Sequence, residues 1–205
     1  MAWIDDFEGN RLSKKWVATR LSMGGQNDGV WTREVKNSKI YWIPTSSGTE
    51  TGYFGEWLSL PVNAIGDIIV DMVARGRGTA GVPNGFIGVG VNQTALTRVR
   101  YGVQMNFPAA VTPAIYATNN AAFVYWPGFP SRFAQYYSTS DAIAKFRVVR
   151  KNGYLFLYIN NIFAGQYAYA PAITTVDIYS TWQTGQLAEE HWVDYIKVTP
   201  ESVVL

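Results

Sequence analysis

The sequence predicts an all-β protein built from two packed antiparallel sheets. Two observations carry that prediction. Apolar and polar residues alternate with period 2 in short blocks bounded by Gly, Asn, Pro and Ser, and no helix-length stretch shows an amphipathic 3.6-residue period. The composition agrees: of 205 residues only 16% are charged, 15% are aromatic and 19 are Gly, which suits a packed β chain rather than a disordered one. More than ten strands in one weakly charged chain of this length exceed a comfortable single sheet, so two must face each other across a core. With no internal repeat and no low-complexity linker, residues 1–205 read as a single β-sandwich domain.

The expected strands are Val30–Val35, Lys39–Ile43, Tyr53–Leu60, Asp67–Arg75, Phe86–Val91, Thr97–Asn106, Ala114–Thr118 and Ala122–Trp126. Ala144–Lys151, Tyr154–Ile159, Ile162–Tyr169, Thr174–Trp182 and His191–Val198 complete them. Leu12–Thr19 and Ser138–Ala144 are the two places where a turn of helix would fit.

Two hairpins can be put in register. Asn152-Gly153 is a strong signal for a two-residue type I′ turn, because both residues tolerate positive φ, and Asn160-Asn161 is a weaker one. The first turn sets Lys151 opposite Tyr154, Val149 opposite Phe156 and Arg147 opposite Tyr158. The second sets Tyr158 opposite Phe163, Phe156 opposite Gly165 and Tyr154 opposite Tyr167. One face then carries Phe146, Val148, Leu155, Leu157, Ile159, Ile162 and Ala164, with Arg150 and Gln166 near its rim, and is the better core. The other carries Arg147, Lys151, Tyr154, Phe156, Tyr158, Phe163 and Tyr167. Aromatic rings with polar handles suit sugar stacking or a protein interface. Cross-strand packing beneath another element explains them equally.

Two more segments are candidates for contact. In Thr97–Asn106, Arg100, Gln104 and Asn106 share the polar face, where they either line a groove as hydrogen-bonding groups or are simply solvated. Trp126–Asp141 holds Trp126, Phe129, Phe133, Tyr136 and Tyr137, with Pro127 and Pro130 stiffening the path. A long aromatic loop either packs down or binds something.

Three segments together resemble the concanavalin A-like lectin/glucanase superfamily. WIDDFEGNRLSKKW is similar to its N-terminal strand and turn, with an Asp-Phe pair and a later Trp. FRVVRKNGYLFLYINNIFAG resembles its three-strand meander, and HWVDYIKV its last strand. The resemblance implies a jelly roll with one concave sheet, an architecture shared by laminin-G-like, pentraxin-like and glycosidase-associated modules. One fold hosts many functions, so the chemistry must be read from residues.

Glycosidases of that superfamily place two carboxylates on the concave face, about 5–5.5 Å apart for retention or about 6.5–9.5 Å apart for inversion. Residues two apart on a strand share a face, so Glu-x-Asp or Glu-x-Asp-x-x-Glu would be the signal, and the chain has neither. Asp67 and Asp71 are too widely spaced, Glu189 and Glu190 point to opposite faces, and Glu34 and Glu50 are isolated. Glu56, beside Trp57, is the one acid with aromatic neighbours to perturb it. His191, the only His, reads as a hydrogen-bonded structural residue at a strand start.

With no Cys, the chain has no disulfide, Cys-ligated zinc or thiol nucleophile, and one His excludes multi-His metal sites. Calcium is compatible with the superfamily. Its only plausible ligands are Asp28 with Asn27, or Asp177 and Asp194, and no motif fixes their geometry, so no cofactor is expected. A net charge of +2 without a Lys/Arg cluster speaks against nucleic acid. RGRGTAG and GFIGVG lack the helix and Lys-Ser/Thr of a phosphate cradle and mark a flexible loop and a strand that must bend or approach another backbone. The acidic start MAWIDDFEGN does not read as a signal peptide, and no apolar run approaches membrane-spanning length.

The expectation is therefore a protein whose work is contact rather than reaction. It reads as a non-catalytic binding or structural module of a bacteriophage particle (capsid decoration, fibre or tail), assembled in the host cytoplasm and carried on the virion. Its expected partners are other virion subunits or a cell-surface glycan, in a homo-oligomer or larger assembly, with no nucleic acid and no membrane. The alternative is a glycan-processing enzyme of the same superfamily with an unrecognised acid pair.

Overall fold

The computed structural model describes residues 3–5, 7–8, 11–23, 29–46, 53–64, 66–77, 85–92, 101–107, 114–118, 141–183 and 190–200. Its strands are β1 (Trp3–Asp5), β2 (Val17–Met23), β3 (Val30–Lys36), β4 (Lys39–Ser46), β5 (Tyr53–Ala64), β6 (Ile68–Arg77) and β7 (Gly85–Val91). Then come β8 (Gly102–Phe107), β9 (Ala114–Thr118), β10 (Asp141–Lys151), β11 (Tyr154–Ile159), β12 (Ile162–Ala168), β13 (Ile173–Gln183) and β14 (His191–Pro200). An eight-stranded sheet runs β12-β11-β10-β6-β14-β4-β3, with β1 added beside β14, and a six-stranded sheet runs β2-β5-β13-β7-β8-β9. Every neighbouring pair is antiparallel.

Alternation decides which side faces inward. Phe54, Leu58 and Leu60 of β5, Ile87, Val89 and Val91 of β7, and Val176, Ile178 and Trp182 of β13 are buried in one cluster. They meet Ile40 and Trp42 of β4, Val70, Met72 and Ala74 of β6, Phe146 and Val148 of β10, and Leu155, Leu157 and Ile159 of β11. Phe54 is the aromatic hub, 5.5 Å from Trp182 and 6.2 Å from Trp31 between ring centroids. The N-terminal pattern has a physical cause: the Asp5 carboxylate accepts the Phe7 backbone N–H at 3.0 Å and the Trp16 indole N–H at 2.9 Å. That clip ties the entry of the chain down while Phe7 and Trp16 are buried.

The structure corrects three expectations. Residues 17–19 and 141–144, within the two places where a turn of helix would fit, are instead the first residues of strands, since β2 finds β5 and β10 finds β6, and tertiary pairing overrides weak local helix propensity. The Asn160-Asn161 hairpin carries a bulge between Leu157 and Tyr158, so Phe156 pairs with Gln166, Tyr154 with Ala168, and Tyr167 with Leu155 instead of Tyr154. Ile162, assigned to the core face, is 49% exposed, because β12 is the outermost strand and Ile162 sits at its turn. Ala122–Trp126 and Thr97–Arg100 lie outside the described residues.

Both expected turns form, with Asn152, Asn160 and Asn161 at φ of 50°, 51° and 65° and Gly153 at 77°. The close backbone approach expected of GFIGVG is also present: a Cβ added to Gly102 of β8 would lie 2.1 Å from the Val89 carbonyl oxygen.

Candidate functional site

The six-stranded sheet turns one face to the core, and its other face is where the fold gathers chemistry. On β13, Thr175, Asp177, Tyr179 and Thr181 alternate with the core residues. The register sets Tyr179 opposite Trp57 and Asp177 opposite Ser59 on β5. On the other side of β13 it sets Tyr179 opposite Gly88 and Asp177 opposite Gly90 on β7. Gly88 and Gly90 carry no side chain on this face, so β13 is flanked by an aromatic strand on one side and a bare backbone on the other. Continuing outward, the register places Gln104 at Gly88 and Asn106 at Phe86.

At the centre, the Trp57 indole N–H donates to Asp177 Oδ1 at 2.8 Å, and the Thr175 hydroxyl donates to Asp177 Oδ2 at 2.8 Å. The Trp57 ring also lies parallel to the Tyr179 ring, at 7° and 5.7 Å between centroids, an offset stack. Asp177 and Tyr179 are fully buried, whereas Trp57 keeps part of its ring accessible. Next to it, edge strand β2 sets Thr19 opposite Trp57 and Val17 opposite Ser59. Thr19 is exposed and Val17 is 55% exposed. Among the described residues, the accessible part of this face includes a strip of Val17, Thr19, Trp57 and Ser59, with Trp57 fixed from behind by a carboxylate and a phenol. A ring held at its N–H and along one side loses little entropy when a ligand settles on it.

Among the described residues, charge on this face comes from Asp177. Its neighbours two residues away on the strand are Thr175 and Tyr179, the positions from which a second carboxylate would share its face. Glu56, the acid singled out beside Trp57, has the opposite parity and enters the core. Its Oε2 accepts the Trp42 indole N–H at 2.7 Å and its Oε1 accepts from Arg33 Nη1 at 2.6 Å, a bridge from one sheet to the other. His191 is likewise between the sheets. Its Nδ1 is 3.0 Å from Ser180 Oγ, its ring stacks on Trp182 at 5.0 Å, and burial lowers its pKa to about 3, leaving a neutral ring.

The other expected site residues lie elsewhere. Arg147, Tyr154, Phe156 and Tyr158 share the outward face of the eight-stranded sheet, with Tyr154 44% exposed. Arg147 forks onto the buried Asp71, Nε to Oδ1 at 2.6 Å and Nη2 to Oδ2 at 3.0 Å. That hydrogen-bonded pair raises the guanidinium pKa above its ordinary value. Tyr167 pairs by backbone with Leu155 and so leaves the row of that face. Trp126, Phe129, Tyr136, Tyr137 and Arg100 lie outside the described residues, and Gln104 and Asn106 are placed by register alone. Of the calcium ligands considered, Asp28 and Asn27 lie outside the described residues. Asp177 and Asp194 are on different sheets, Asp177 taken by Trp57 and Thr175 and Asp194 by Lys39 Nζ at 3.1 Å. Among the described residues, no three His, Cys, Asp or Glu side chains gather where they would hold a metal.

Sequence reasoning missed Trp57, Thr175 and Tyr179 as one site. The signal was present in the strand parity of Thr174–Trp182, but pairing β13 with β5, 120 residues away at the Trp57–Asp177 bond, needs the topology.

No family model and no curated protein sequence matches the chain. Solved structures do. The carbohydrate recognition domain of Emp46p in its metal-free form has a TM-score of 0.60 at 10% identity, over 95% of this chain and 93% of that one. A β-1,3-1,4-glucanase (lichenase) derived from a mouse hindgut metagenome scores 0.58 at 10% identity, over 97% and 99%. The endo-β-1,3-glucanase from Pyrococcus furiosus scores 0.54 at 15% identity, over 97% and 93%. The chain shares the fold of these structures, the two-sheet antiparallel jelly-roll sandwich of concanavalin A type.

Proposed function

We propose that this chain is a non-catalytic carbohydrate-binding module that holds a glycan against the outward face of the six-stranded sheet. The observation that carries this reading is the Trp57 indole, fixed by Asp177 and Tyr179 beside the open strip of Thr19 and Val17. A sugar ring presents an apolar C–H face to such an indole and hydroxyls to Thr19 and Ser59. Asp177 acts as the positioning residue that keeps the platform flat.

Contact is favoured over hydrolysis because Thr175 and Tyr179 stand where a second acid would share the face of Asp177, and because Glu56 points into the core. The proposed setting is a bacteriophage particle, in company with other virion subunits. Its support is compositional: a Cys-free β chain of low charge, rich in aromatics.

The test is a glycan array followed by calorimetry with wild-type protein and Trp57→Ala. Saturable binding to a neutral oligosaccharide, weakened at least tenfold by Trp57→Ala, supports the reading. Release of reducing ends from any bound polysaccharide, abolished by Asp177→Asn, would establish the glycanase alternative instead.

A further inference from the structure

We infer that the outward face of the eight-stranded sheet is a second binding surface, and that its occupant is an anionic, carboxylate-bearing polysaccharide. This goes beyond the Trp57 site, which lies on the other sheet. Along one row the register reads Phe163 (β12), Tyr158 (β11), Arg147 (β10), Asp71 (β6) and Lys197 (β14). Tyr158 and Phe163 meet edge to face at 5.6 Å, with Phe163 51% exposed, and Tyr154 and Phe156 continue the rings along β11.

Charge complementarity selects the occupant. The outward positions of β10 and β14 hold Lys145, Arg147, Lys151 and Lys197, against two carboxylates, Asp71 on the strand between them and Asp194 on β14, the latter already paired with Lys39 Nζ at 3.1 Å. Arg147 consumes the Asp71 carboxylate while staying 39% exposed at its side chain. Lys145 and Lys197 make no ion pair among the described residues. The surface is thus left with excess positive charge beside a run of rings.

Three kinds of anion would answer such a charge, and the geometry separates them. A nucleic acid presents a phosphate about every 1.7 Å of duplex axis and needs a denser basic track than two unpaired lysines. An extended acidic peptide draws affinity from main-chain hydrogen bonds, which the open edge of β12 offers only at a distance from the cations, since β10 is laddered on both sides by β6 and β11. A uronate chain needs only what this face has, ring surfaces for its C–H faces and separated cations for its carboxylates.

The experiment uses the whole chain with polygalacturonate as the anionic probe, dextran as a neutral control and polyglutamate as an anionic peptide control. Polygalacturonate should bind saturably and weaken at least tenfold in Lys145→Gln/Lys197→Gln. It should weaken severalfold in Phe163→Ala, whose exposed ring can be lost without a core cavity, and also on raising salt to about 0.5 M. Trp57→Ala should leave this affinity unchanged, which separates failure of this surface from failure of the Trp57 site. Absence of polygalacturonate binding, loss of it only with Trp57→Ala, or equal binding of polyglutamate would each overturn the assignment.

Discussion

Asp177 accepts the indole N–H of Trp57 at 2.8 Å while its other oxygen takes the Thr175 hydroxyl, also at 2.8 Å. The carboxylate is fully buried, while Trp57 and Thr175 are partly accessible, and it accepts from both. Asp177→Ala should cost about 1–3 kcal/mol in urea denaturation, because it takes the acceptor from both donors. It should also weaken glycan affinity by loosening Trp57, and Asp177→Asn should retain most of both. An Asp177→Ala protein with wild-type stability would remove the carboxylate from its positioning role.

Glu56 ties the two sheets together through Arg33 and Trp42. The Arg33 end of the pair is partly exposed, but the buried Trp42 indole N–H loses its acceptor, so Glu56→Ala should lose about 1–3 kcal/mol, and Glu56→Gln less. Neither change should alter glycan affinity in the fraction that remains folded. A measured loss of affinity in folded Glu56→Gln would move this acid from the core into the site.

His191 gives the protein a built-in sensitivity to acid. Its folded pKa is about 3 because burial disfavours the charged ring, against an ordinary value of 6.5. The unfolded chain therefore takes up a proton below about pH 6.5 that the folded chain refuses until near pH 3, and stability falls as pH drops through that window. Between pH 7 and pH 5 the expected loss from this group is about 2 kcal/mol. Urea midpoints at the two pH values should converge in His191→Asn, and an undiminished acid loss in that variant would assign the effect to other groups.

Gly102 has no room for a side chain: its added Cβ would stand 2.1 Å from Val89 O and 2.5 Å from the Gly90 Cα, both backbone. Gly102→Ala must push β8 away from β7, at a cost of at least about 3 kcal/mol. Gly66→Ala meets nothing within 4 Å and serves as the control, expected to be nearly neutral by thermal melting.

Local signals made much of this fold legible. Asn152-Gly153 fixed the β10–β11 register down to Arg147 opposite Tyr158, because a two-residue turn leaves no slack. The register beyond Asn160-Asn161 was not legible past Tyr158, since a bulge is set by how β12 twists along the sheet edge rather than by the turn. Val17–Met23 hid for a similar reason: as an edge strand with Val17 outward, it lacks the buried alternation that marks a strand in sequence. The candidate site was half visible. Asp177 was noticed as an oxygen ligand, and Trp57 only as a neighbour of Glu56. Their union depends on β5 and β13 lying side by side, a relationship that no local pattern encodes.

The position of β14 sets the order in which the molecule can be made. Residues 191–193 ladder to β4, residues 196–198 to β1, and the opposite edge of the strand to β6. Until that segment leaves the ribosome, the larger sheet exists only as two separate rafts, β3-β4 and β6-β10-β11-β12, each with a raw edge waiting for the same strand. Folding is then necessarily completed after synthesis of this stretch, and the nascent chain must be kept from pairing those edges with its neighbours in the meantime.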